Sequence, residues 1–274
     1  MLIDFHTHIF PDEIAERVLK TLSNNIYSHT GLEQVPCTDG TVCGLRKSMK
    51  ENNVDISVVL PIATKPSQTA SINNFAEKIM SEDVISFGSL HPLQDDWEYI
   101  LSDLAKRGFK GIKLHPQYQQ VQVDSKEVIR VLKKAEELKM YTVLHSGVDY
   151  GMPPPIMCTP AMLKNVLNEV SGNYIIAAHL GGLGMWDDVE KYLVGTPIRF
   201  DTAAISSFIN KEQYRRIIIN HGADKVLFSS DSPWENLKDT ISGLKALGLP
   251  HKYFEMITYK NALSLLGINA NTEQ

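Results

Sequence analysis

Cysteine is scarce in this chain of 274 residues: Cys37, Cys43 and Cys158 make up the whole complement of 3, in no paired spacing. That excludes a disulfide framework and sets the expectation of a reduced, cytoplasmic setting. Long apolar runs are also missing. Stretches such as Ile56 to Leu60 fall far short of the ~20 residues a membrane span needs, so no membrane partner is expected. No basic run occurs and the net charge is −5, which argues against nucleic acid as a partner. No basic segment precedes an apolar one near Met1, so no signal peptide is expected. No linker or low-complexity stretch divides the chain, and one domain is expected over 1–274. The Gly-rich phosphate turn of a dinucleotide-binding sheet is absent after the first strand. What remains is an ordinary globular composition, 43% apolar and 22% charged.

Apolar strands alternate with amphipathic helices along the whole chain. The opening Leu2-Ile3-Asp4-Phe5-His6-Thr7-His8 reads as a strand, and Asp12 is placed to cap a helix through about Ser23. Residues 24–40 read as a long irregular loop, and Thr41 to Asn52 as a helix. Further strands are expected at 55–61, 84–91, 109–115, 141–145, 174–179, 198–201 and 225–231. Helices fall between them, among them 71–80, 95–107 and 125–139, with Thr159 and Pro160 opening another. Two helices, about 235–247 and 251–266, close the chain. Strict alternation argues for a parallel sheet, and eight units in this length match a single-domain (β/α)₈ TIM barrel.

The polar residues then sort by position. Strand one ends in His6 and His8, which share a face because the side-chain period of a strand is two. Later strands end in His91, in Lys113 and His115, in His145, in His179, in Asp201 and in Asp231. A barrel brings all these ends to one face, where enzymes of this architecture place their chemistry. His6, His8, His145 and Asp231 offer three nitrogens and one oxygen, a set suited to zinc and also to manganese or iron. Such a metal makes hydroxide available near neutral pH. Asp231 is placed both to ligate and to take the water's proton, and His179 to polarise substrate or shuttle a proton. His91 and His115 precede prolines and either meet substrate or bond loop backbone. His29, His221 and His251 lie off the strand ends and are expected in solvent. Asp201 is a candidate to bind substrate or to hold a ligand histidine. Trp234 and Glu235 follow the last strand, placed either to line the pocket or to start a helix. Tyr118, Tyr150, Met152 and Met157 sit on loops of the same face.

With these stretches in view, the chain resembles the amidohydrolase superfamily, in the branch that includes aminocarboxymuconate-semialdehyde decarboxylase and the γ-resorcylate-type decarboxylases. The matching segments are Asp4 to Pro11, Gly111 to Pro116, Leu144 to Gly147, Ala178 to Gly182 and Gly222 to Pro233. The resemblance implies metal at His6, His8, His145 and Asp231, with His179 beside it acting on substrate or water. Other branches carboxylate a lysine on strand four to bridge two metals. Lys113 stands on that strand, so it is a further ligand if carboxylated and otherwise a charged residue paired with Asp201 or Asp231. One metal is expected rather than two, and a homodimer is the assembly the resemblance suggests.

Three functions fit this pattern. The first is a metal-dependent hydrolase that opens an amide, ester or lactone of a small organic substrate with metal-activated water. The alternative is a metal-dependent non-oxidative decarboxylase of a small unsaturated or aromatic acid. That reaction calls for cationic groups, and the arginines at hand, Arg46 and Arg199, are not clearly on the site face, which favours the hydrolase. A barrel that only binds a ligand or metal is the third, and the full set of acid, base and ligand groups argues against it.

Overall fold

A computed structural model describes residues 1–269. Eight strands run β1 (Ile3–Thr7), β2 (Ile56–Val59), β3 (Val84–Ser86, resumed at Gly88–Ser89), β4 (Gly111–Leu114), β5 (Tyr141–Leu144), β6 (Ile175–Ala177), β7 (Arg199–Asp201) and β8 (Val226–Leu227). Each pairs in parallel with the next. The last strand returns to the first. Phe5 N–H donates to the Phe228 carbonyl and Asp231 N–H to the His6 carbonyl, each at 2.9 Å. Asp4 clamps the same seam, accepting from Ser230 N–H at 2.9 Å and from Ser230 Oγ at 2.5 Å. The sheet is therefore a closed (β/α)₈ barrel, one domain across the chain.

The helices lie between strands, as the alternation requires. In order they are α1 (Asp12–Thr30), α2 (Val42–Asn52), α3 (Thr69–Ile79), α4 (Trp97–Lys106), α5 (Pro116–Gln119), α6 (Lys126–Glu137), α7 (Pro160–Val166), α8 (Trp186–Tyr192), α9 (Lys211–His221), α10 (Leu237–Ala246), α11 (His251–Glu255) and α12 (Asn261–Leu266). Hydroxyl caps at Thr41, Ser125 and Thr159 begin α2, α6 and α7, each worth about 1 kcal/mol. α6 buries Val128, Val131, Leu132 and Ala135, the stripe its amphipathic pattern foretells.

Two departures from the sequence expectation bear on the site. α1 does not stop near Ser23 but runs to Thr30, where Gly31 at φ 70° ends it. Ile14, Val18, Leu22 and Ile26 recur at every fourth position, and this ridge carries the helix through a polar stretch that looks like loop. The loop before α2 shrinks accordingly. The second departure is inside β1. Its register against β2 slips between Asp4 and Thr7, a bulge of one residue. Ile3 and Phe5 pack into the inner core with Val58, Phe87, Val143 and Ile176. In an unbroken strand His6 would face away from Phe5; the bulge shifts the phase and turns His6 and His8 into the barrel mouth. α12 packs Leu263 and Leu266 against the same inner core. A larger apolar layer fills the space between sheet and helices.

Candidate active site

At the carboxyl ends of the strands lies a cavity of about 1100 Å³ whose lining includes His6, His8, Lys113, His115, His145, His179 and Asp231. The strand ends thus deliver seven of the expected residues to one space. Trp234, Glu235, Tyr118, Tyr150 and Met152 line it as well, while Met157 does not.

Three groups converge most closely. His6 Nε2 and His8 Nε2 are 3.1 Å apart, and Asp231 Oδ1 is 3.2 Å from each. The outer nitrogens fix the tautomers. His6 Nδ1 faces the Asp201 carboxylate at 2.8 Å, and His8 Nδ1 faces the Leu60 carbonyl at 2.9 Å. Both partners only accept, so both Nδ1 atoms carry the ring proton and both Nε2 atoms present lone pairs. Burial, then the charge of Lys113, holds His6 well below the usual imidazole range. Burial works against charge on Asp231, and its carboxyl is held well below the usual carboxylate range only while positive charge sits at the His6 and His8 rings. Two lone pairs and a carboxylate pressed together demand a cation. The Lys113 ammonium supplies part of that charge, its Nζ lying 3.2 Å from His6 Nε2. The N, N, O donor set also fits a divalent metal.

The second cluster is His115, His145 and Asp149. A tautomer chain runs through it. His179 Nδ1 donates to the Ala203 carbonyl at 2.9 Å, so His179 Nε2 accepts from His145 Nδ1 at 3.0 Å. That leaves His145 Nε2 as a buried lone pair without a hydrogen-bond partner, 3.9 Å from Asp149 Oδ2. His145 therefore stands between the two clusters: its ring is stacked on His115 at 4.1 Å and edge-on to His179 at 4.7 Å. It lies outside the tight trio of His6, His8 and Asp231. His115 Nδ1 accepts from Tyr118 N–H at 3.3 Å and its Nε2 faces Asp149 Oδ2 at 3.3 Å. Its Nε2 is thus a donor, spoken for by Asp149, although the ring reaches the cavity. His91 bonds loop backbone, its Nδ1 accepting from Leu93 N–H at 3.3 Å.

Backbone geometry holds this arrangement. His179, Leu180 and Asp231 have φ of 59°, 54° and 66°, left-handed values that cost non-glycine residues on the order of 1–3 kcal/mol each. Gly147, at φ 87°, lets the loop after β5 touch the loop after β6; a Cβ there would lie 2.2 Å from Leu183 N. Burial pushes Lys113 down to about 8, against the pull of Asp201 and Asp231. Glu235, bonded to Ser206, is pushed up by burial to about 7.

Several expectations need correction. Asp201 does not face substrate: its side chain is fully buried, Oδ2 takes His6 Nδ1–H, and Oδ1 takes His179 N–H at 2.9 Å and Ala203 N–H at 3.1 Å. It stands behind the histidines and orients them. His221 is not solvated but 2% exposed, stacked on Phe200 at 3.9 Å. His29 and His251 are exposed as expected. Arg46 pairs with Asp83, and Arg199 lies over Tyr141, so neither reaches the cavity. Asp149 escaped the sequence reading. Its one signal was its place four residues after His145, on the loop that leaves β5.

A parallel barrel with two histidines and an aspartate at its mouth, donors that could hold a metal ion, defines the class. The family model described as amidohydrolase matches residues 3–268, and the chain belongs to that family. No curated protein matches it. Among solved structures it is similar to 5-carboxyvanillate decarboxylase from Sphingomonas paucimobilis, with 14% identity, 98% of this chain and 99% of that one covered, and a TM-score of 0.68. It is also similar to a dihydroxybenzoic acid decarboxylase from Polaromonas with bound manganese and 2-nitroresorcinol, with 15% identity, 98% and 97% covered, and a TM-score of 0.70. A third is a probable 2-pyrone-4,6-dicarboxylic acid hydrolase from Acinetobacter baumannii, with 17% identity, 97% and 99% covered, and a TM-score of 0.66. Among the described residues no helix is long and apolar enough to cross a membrane.

Proposed function

We propose that the protein is a metal-dependent carboxy-lyase that removes carbon dioxide, without oxidation, from a small unsaturated or aromatic acid. The observation that carries this is the trio of His6, His8 and Asp231, whose facing Nε2 and Oδ1 atoms offer lone pairs to a cavity with apolar walls, with the Lys113 ammonium buried beside it. The decarboxylases among the similar structures support the same reading over the hydrolase that the sequence favours. His6, His8 and Asp231 would hold the metal, and the free Nε2 of His145 would offer a fourth donor. Zinc and manganese both suit these donors. When bound, the metal supplies a Lewis acid that fixes and polarises an oxygen of the substrate.

The chain's own residues do the rest. Lys113 pairs with the substrate carboxylate; among the described residues no arginine lines the cavity. The apolar walls keep water from the carboxylate, which favours loss of its charge as carbon dioxide. As the carbon–carbon bond breaks, its electron pair stays on the substrate carbon, and that carbon then needs one proton. Asp231 relays one proton from water to that carbon, and the hydroxide left behind combines with the released carbon dioxide as bicarbonate. His179 keeps His145 in the tautomer with Nε2 free.

Hydrolysis of a lactone or ester is the second reading. It is favoured by the ionised Asp231, which suits a general base, and by the lack of arginine in the cavity. One assay separates the two. Manganese- or zinc-loaded protein is offered hydroxybenzoic and unsaturated acids in heavy water alongside esters and lactones. The expected result is release of carbon dioxide with one deuterium on the product carbon. Ester or lactone cleavage with no carbon dioxide would replace the proposal with the hydrolase.

A further inference from the structure

The cavity is larger than one aromatic acid needs; at about 1100 Å³ it lies just above the range of ~300–1,000 Å³ usual for small-ligand sites. One long side of its lining comes from α1. An amphipathic surface helix normally spends its apolar stripe on the core. α1 buries only Ala15 and Leu19 that way. Its larger apolar residues, Ile14, Val18, Leu22 and Ile26, are half-buried and line the cavity instead. At 1.5 Å per residue this ridge is ~18 Å long. Ile72 and Phe75 of α3 also line the cavity. The charged groups of the lining cluster at the strand ends: Lys113, Asp149, Asp231 and Glu235. No charged side chain of α1 or α3 lines it; there the polar groups are uncharged, such as Asn25 and Ser71.

We infer that the substrate carries an uncharged apolar arm, which lies along the Ile14–Ile26 face of α1 while its acid head reaches the His6–His8–Asp231 trio. The occupant is the substrate itself because the groove and the trio belong to one cavity. A second anionic group on the arm would be buried without a partner cation, so dianionic substrates are selected against. This rests on the reading of the trio as the reacting end.

The test is calorimetric titration of manganese-loaded protein with benzoic, 4-butylbenzoic and 4-octylbenzoic acids, beside a measurement of bound metal. Each methylene that leaves water should tighten binding about fourfold, so burial of even half of the octyl chain should make that acid bind at least about a hundredfold tighter than benzoic acid. Leu22→Asp, which places a charge at the middle of the ridge, should erase that gain. Bound metal with no gain along the series overturns the arm and leaves the metal chemistry standing. A gain in protein that holds no metal keeps the arm and rejects the metal centre. A gain undiminished in folded Leu22→Asp places the arm elsewhere and refutes the assignment. Loss of the gain together with dissociation of a dimer in Leu22→Asp shows that a second copy covers the ridge, which also refutes it. If Leu22→Asp does not fold, the alkyl series on the wild-type protein decides.

Discussion

Replacing Asp201 by Asn changes one atom, and the structure says what that atom does. Asp201 makes three hydrogen bonds and accepts in all of them: one oxygen takes His179 N–H and Ala203 N–H, and the other takes His6 Nδ1–H. Asn has a single acceptor oxygen. If it serves the two backbone donors, the amide NH₂ faces His6 Nδ1. That nitrogen must then accept, and the ring proton moves to Nε2, where the metal needs a lone pair. The opposite placement leaves two buried N–H groups against an NH₂, at about 1–3 kcal/mol each. The first placement therefore wins, and its cost falls on metal binding. Losing the partner that orients a ligand histidine weakens metal affinity by about 10–100-fold, or roughly 1.4–2.8 kcal/mol. The assay is calorimetric titration of metal-stripped wild type and Asp201→Asn with manganese, with thermal melts in excess chelator to compare the metal-free folds. Equal affinity for manganese in the two proteins would refute the tautomer argument.

Three other predictions follow from the same structure. His221 is buried and held down to about 4, chiefly by burial and then by Lys225. Its folded-state value lies below its unfolded one, so its share of stability is full above pH 6.5 and is lost as the pH falls toward 4. At about 1.4 kcal/mol per pH unit, wild type should lose about 2 kcal/mol more than His221→Gln between pH 7.5 and 5 in urea unfolding; parallel losses would contradict this. Arg46→Ala should cost no more than about 1 kcal/mol and leave turnover unchanged, because Arg46 and Asp83 are both nearly half exposed and remote from the cavity; a lost activity would return Arg46 to the site. Lys113→Met should keep bound metal but lose release of carbon dioxide; a fall from two metals per chain to one would instead establish a carboxylated Lys113 as a bridge.

The barrel was legible because its signals are local and repeated: apolar strands, amphipathic helices opening near Thr41, Ser125 and Thr159, and polar residues sorted to one end of each strand; the cap expected at Asp12 is not made, since α1 starts after Pro11 with no side-chain cap. His6, His8 and Asp231 meet because that end is common to all strands, a consequence of parallel topology. What pairs with what at the mouth was not legible. The role of Asp201 depends on which side of His6 it stands, and no periodicity encodes that. His221 looked solvated because its helix ends there; it is buried because the loop at Gly195 folds over it, its Nδ1 accepting Gly195 N–H at 3.3 Å. Asp149 sits on a loop, whose path follows long-range contacts rather than local sequence. The full length of α1 was hidden by Asn and Ser residues, although its ridge of Ile14, Val18, Leu22 and Ile26 was there to be counted.

The central claim is that His6, His8 and Asp231 hold a divalent metal. Its most direct test is the metal content of wild type and of Asp231→Ala after loading with manganese and removal of the excess, measured by plasma emission spectrometry on protein whose fold is checked by circular dichroism. Wild type should hold about one metal per chain and the folded variant essentially none. Wild-type protein without stoichiometric metal, or a folded Asp231→Ala that retains it, would contradict the account.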